Sequence, residues 1–115
     1  MPKGIWIAVY KKIENMEILK KYAAKATPAI GKYSGKFLVR GGKNITLEGN
    51  QLPRTVIVEF PIFSDAEKCY NSDEYKRALD ILSIRNIVLH HQYFQIEQQL
   101  FSKTNYLQEY VLEHL

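Results

Sequence analysis

The residues best placed for chemistry are an arginine and a glutamate, each set in an otherwise apolar run. Arg40 closes Phe37-Leu38-Val39, and Glu59 sits within Thr55–Phe60. Sheets seldom bury such groups without a partner or a ligand. An arginine held at a strand end offers a rigid fork of donors to a carboxylate or enolate. A desolvated Glu59 would gain a raised pKa and serve as general base or acid. The plainer alternatives are a structural ion pair, or a cross-strand contact between Lys36 and Glu59 if the register sets them opposite. Gly41-Gly42 follows Arg40, and two residues without side chains let a ligand or a second subunit approach closely. Tyr70 and Tyr75 flank the dipeptide Asn71-Ser72. Their hydroxyls can orient a carbonyl or stabilise an oxyanion, although tyrosines at helical spacing commonly serve as core.

Other chemistries find less support. His90 and His91 are adjacent and would point to opposite faces of a strand, so one metal is poorly served by both. The third histidine, His114, is remote, and no metal site or cofactor is expected. Cys69 is the single cysteine, has no histidine near it in sequence, and reads as a packed thiol. Phosphate-loop, nucleophile-elbow and dinucleotide signatures are absent. The net charge of +4 comes largely from lysines scattered between Lys11 and Lys36, which suits a solvated helix face better than a nucleic-acid surface.

The elements that would hold these residues follow from periodicity. The 115 residues, 46% hydrophobic and 24% charged, make one domain. Ile5–Tyr10 reads as a first strand that carries Trp6 in core or interface. Asn15 caps a helix whose inner face is Leu19, Ala23, Ala26, Ile30 and Tyr33, with Pro28 as a kink and Ser34-Gly35 as its end. Lys36–Val39 and Thr55–Phe60 form two strands around a loop that has a short extension at Ile45-Thr46-Leu47. Phe37 and Val39 are expected on one side of the sheet, with Leu38 and Arg40 on the other. Ser64-Asp65-Ala66-Glu67 matches a capping box. Ser72 caps a further helix that turns Tyr75, Ala78, Leu79 and Leu82 inward. Tyr93–Glu97 is the expected fourth strand, with Ile87–Leu89 as an alternative or an extension. Tyr106, Leu107, Tyr110, Val111 and Leu115 outline an amphipathic C-terminal helix. The chain divides into a domain over 1–98 and a helical extension over 99–115. The N-terminus lacks signal-peptide features and no apolar run is long enough to span a membrane, so a cytoplasmic protein is expected.

Met1–Ile7, Lys32–Gly42 and Arg54–Pro61 together closely resemble the family called domain of unknown function 1330, a group within the dimeric α+β barrel superfamily. The resemblance runs from Met1 to about Tyr75 and continues less closely to Gln98, where the family has glycine. It implies a ferredoxin-like β-α-β-β-α-β fold with both helices on one sheet face, and a homodimer formed by the other faces. Tyr22, Tyr33, Tyr70 and Tyr75 stand where the family places aromatic residues. The expected function is therefore a small-molecule pocket for a carboxylate or carbonyl compound between sheet and helices. Glu59 and Tyr75 are the candidate catalytic residues, and Arg40, Gly41, Tyr70 and Tyr22 the candidate ligand contacts. A dimer without chemistry, or a degenerate relative that has lost its ancestral activity, are the alternatives.

Overall fold

A computed structural model describes residues 1–83 and 87–97 of the chain. The C-terminal helix and the boundary near residue 98 lie outside the described residues. The elements run β1 (Gly4–Ile13), α1 (Met16–Lys32), β2 (Lys36–Arg40), β3 (Arg54–Phe60), α2 (Phe63–Asn71), α3 (Asp73–Ser83) and β4 (Ile87–Gln95). All pairings are antiparallel and the strand order is β2-β3-β1-β4, the ferredoxin-like arrangement. The helices cover one face, over a core of Trp6, Val58, Phe60, Ala66, Cys69 and Tyr75.

Local chemistry explains most boundaries. The Asn15 side chain accepts from the amides of Glu17 and Ile18, and so satisfies two of the orphan donors of α1. Pro28 does not break this helix, because Ala24 and Pro28 are both exposed and the carbonyl left unpaired at Ala24 is on the wet side. Ser72 ends α2 and caps α3, since its hydroxyl accepts from the Tyr75 amide at 3.2 Å and donates to the Cys69 carbonyl at 2.7 Å.

Three expectations are corrected. The capping box at Ser64 does not form: α2 begins at Phe63 after Ile62, where no side chain caps it, and the Phe63 amide bonds the Pro2 carbonyl instead. The fourth strand runs Ile87–Gln95, so it takes in the Ile87–Leu89 extension and stops two residues short of Glu97. Strand β1 continues through Lys11 and Lys12 to Ile13, and that extra length supplies the partners for Ile87 and Val88. In β2, a bulge between Phe37 and Val39 resets the alternation. Phe37 lies opposite Val58 and Arg40 opposite Val56, so both share the helix side, while Val39 joins Ile57 on the open side.

The open face bears Ile5, Ile7, Val9, Ile57 and Phe94, none of them fully buried. Val39, Val88 and Phe94 are 38%, 48% and 41% exposed, a high value for strand residues of this kind. Thr55, Glu59, His90 and Gln92 interrupt this face, but its apolar part is unfavourable in water.

Candidate functional site

The sheet register builds a hollow between α1 and the strands. Along the helix side, cross-strand partners line up as rows. One row is Phe37–Val58–Trp6–Tyr93, and the next is Arg40–Val56–Ala8–His91. A third begins Arg54–Tyr10–Leu89. The middle row is low at its centre, where Val56 and Ala8 stand between bulky rings of the flanking rows. On the helix above, Ala23, Ala26 and Thr27 are also small. Small residues meeting small residues leave a cavity of about 40 Å³, room for roughly three waters or a comparable piece of a ligand.

Arg40 closes one end of this cavity. Its guanidinium lies 4.1 Å from the centre of the Phe37 ring and donates to the Thr27 hydroxyl at 2.6 Å. Both contacts fix its direction. Arg54 lines the same cavity. No aspartate or glutamate among the described residues lines it, and neither arginine belongs to an ion pair there. Gly41 follows Arg40 with a φ of 68°, and a Cβ there would lie 2.6 Å from Nη1 of Arg54. The missing side chain thus makes room for Arg54, not for open space beside Arg40.

Tyrosines line the interior. The Tyr22 and Tyr75 hydroxyls share a hydrogen bond, and Tyr10 is coupled to the same pair. Burial pushes the ionisation of all three above the usual phenol range. They therefore act as neutral hydrogen-bonding groups at physiological pH. Tyr70 stands outside the lining, with its ring packed on Trp6, Tyr75 and His91.

Glu59 is corrected out of the site. It lies on the open face opposite Lys36 and Ile5, and its carboxylate accepts from Lys3 at 2.7 Å. That hydrogen bond lowers its pKa instead of raising it. The plainer cross-strand placement with Lys36 is the one adopted. Arg40 and Glu59 are on opposite faces, because the bulge in β2 turns only the arginine. Cys69 is fully buried and its thiol is pushed up to about 12, chiefly by burial, so it is no nucleophile.

Arg54 and His91 are lining residues that sequence reasoning did not assign to the pocket, and His91 was weighed there only as a metal ligand. It lines the cavity from β4, on the side shared by Ile87, Leu89 and Tyr93. Its ring lies 4.6 Å from Trp6, 5.2 Å from Tyr70 and 6.1 Å from Tyr75. Burial, aided by His90, lowers its pKa to about 4, so the imidazole is neutral at pH 7. The period-two pattern Ile87–Leu89–His91–Tyr93 was the available signal, since it sets a histidine where an apolar residue belongs. Among the described residues no group of three or more side chains is arranged to hold a metal ion. No helix there is long and apolar enough to cross a membrane.

Comparison with known proteins gives a family and a fold. The family described as domain of unknown function (DUF1330) matches over residues 3–92. No curated protein matches. A protein of unknown function from Rhodopseudomonas palustris superposes with a TM-score of 0.65 at 12% identity, covering 84% of each chain. A dimeric ferredoxin-like protein of unknown function from a Jannaschia species gives 0.64 at 11% identity, over 82% of this chain and 99% of that one. SnoaB, a cofactor-independent oxygenase from Streptomyces nogalater, gives 0.58 at 8% identity, over 85% of this chain and 96% of its own. At these identities the likeness concerns the fold.

Proposed function

The chain belongs to the DUF1330 family, and from that premise we propose that it is a homodimer binding a small carboxylate in the cavity between α1 and the sheet. One observation carries this: Arg40 and Arg54 line an apolar cavity that has no carboxylate of its own among the described residues. Two guanidinium groups beside an apolar space attract an anion, and the restrained fork of Arg40 matches a carboxylate. The cavity of about 40 Å³ seats only part of a short molecule. Tyr22 and Tyr75 supply hydroxyls to a ligand carbonyl or hydroxyl, and Gly41 contributes by seating Arg54. Whether or not a reaction follows, binding of this kind needs no cofactor.

The dimer is proposed from the open face. A second copy placed over Ile5, Ile7, Val9 and Ile57 would remove a large apolar surface from water. The protein from the Jannaschia species, of similar fold, is described as dimeric. A single buried thiol suits a reducing compartment, in keeping with a cytoplasmic protein.

A thermal-shift screen of short carboxylates tests the binding proposal. Wild-type protein should be stabilised in a saturable way. Arg40→Ala should abolish that shift while lowering the ligand-free Tm by only a few degrees, because its partners are one hydroxyl and one ring face. A large ligand-free loss, or an undiminished shift, would contradict it.

A further inference from the structure

We infer that His91 is a second recognition residue of the cavity, selecting carboxylates that carry a hydroxyl or carbonyl oxygen remote from the carboxylate. This rests on the carboxylate-binding proposal and extends it.

The first support is position. Arg40 and His91 terminate the same cross-strand row, and Val56 and Ala8 are the floor between them. Three strand spacings separate their backbones, about 14 Å. Side chains reaching in from both ends shorten that span, and both residues line the cavity. A ligand lying along this row presents its carboxylate to Arg40 and its other end to the imidazole.

The second support is an unmet need. Both ring nitrogens of His91 are inaccessible to solvent, and neither has a hydrogen-bond partner among the described residues. Buried polar atoms are nearly always paired, and one left unpaired is destabilising. The surrounding groups offer little: Trp6, Tyr70 and Tyr75 present ring edges and faces to the imidazole. The Trp6 indole N–H is engaged with the Ala66 carbonyl at 3.0 Å, and the Tyr75 hydroxyl with Tyr22. A neutral imidazole has one donor and one acceptor. It can donate to a carbonyl oxygen or exchange both roles with a hydroxyl, but it gives nothing to a methyl group.

The third support is the room beside it. The cross-strand partner of His91 is Ala8 rather than a bulky residue. Ala8 and His91 both line the cavity, and over this small neighbour a turn of the ring would bring a nitrogen, closed to solvent as the ring stands, toward the ligand.

The test is calorimetric titration with matched acids, butyrate against 2-, 3- and 4-hydroxybutyrate, on the wild type, His91→Leu, His91→Gln and Arg40→Ala. At least one hydroxy acid should bind the wild type about tenfold more tightly than butyrate, the value of one buried hydrogen bond. His91→Leu should erase that increment, so that the hydroxy acids and butyrate bind it alike. His91→Gln, which keeps a donor and an acceptor, should retain part of it. Melting curves confirm that each variant is folded. An increment that survives in His91→Leu, or hydroxy acids no better than butyrate, overturns the role of His91 but leaves the carboxylate site standing. Butyrate and all hydroxy acids failing to bind the wild type overturns both.

Discussion

A half-buried histidine, whose ring nitrogens are closed to solvent and unpaired among the described residues, makes the stability of this protein depend on pH in an unusual window. The folded-state pKa of His91, about 4, is below the ordinary value of 6.5. Between those values the unfolded chain binds the proton and the folded chain does not. Its contribution to stability is thus complete above pH 6.5 and lost as the pH falls toward 4. From pH 7 to pH 5 the loss should be about 2 kcal/mol in urea unfolding, before most carboxylates titrate. His91→Leu should flatten that slope, and an unchanged slope would contradict the burial of a neutral imidazole. Gly41 gives a second prediction at this scale. Alanine there must adopt a φ of 68° and displace the Arg54 guanidinium. Gly41→Ala should destabilise by about 1–2 kcal/mol and weaken carboxylate binding through Arg54.

At the scale of elements, caps and strand pairing decide where side chains end up. Ser72→Ala removes the α3 cap next to a fully buried tyrosine, and should destabilise by about 1–2 kcal/mol in chemical denaturation. An effect within error would show that Tyr75 holds the helix junction without it. The frame was legible in the sequence because each part had a local cause: the alternation in β3, the Asn15 and Ser72 caps, and the inner face of α3. Arg40 was legible as a candidate, but its side of the sheet was not. A bulge depends on how β2 meets β3, and the residues of β2 alone alternate in the expected way. Glu59 was misplaced for a different reason, since a glutamate within an apolar strand is equally compatible with a pocket and with a lysine neighbour. His91 was weighed only as a metal ligand, because the fourth strand was expected over Tyr93–Glu97, with Ile87–Leu89 as an alternative or an extension. Its true start depends on β1 continuing through two lysines, which local polarity argues against.

For the whole molecule, the two faces of the sheet have separate tasks. The helix side holds a cavity bounded by Arg40, Arg54 and His91. The open side is apolar enough to require cover. Ile7→Glu should shift a dimer toward monomer in light scattering at low micromolar concentration, because a buried charge at the interface has no partner. A monomeric wild type would rule out that assembly. The cavity itself carries its own reporter. Trp6, the single tryptophan, is 2% exposed and lines it. Titrating the protein with a short carboxylate while following Trp6 fluorescence therefore tests the binding site most directly. A saturable change that disappears in Arg40→Ala is the expected result. Emission that stays constant through millimolar carboxylate, or changes equally in the variant, would contradict a carboxylate site between α1 and the sheet.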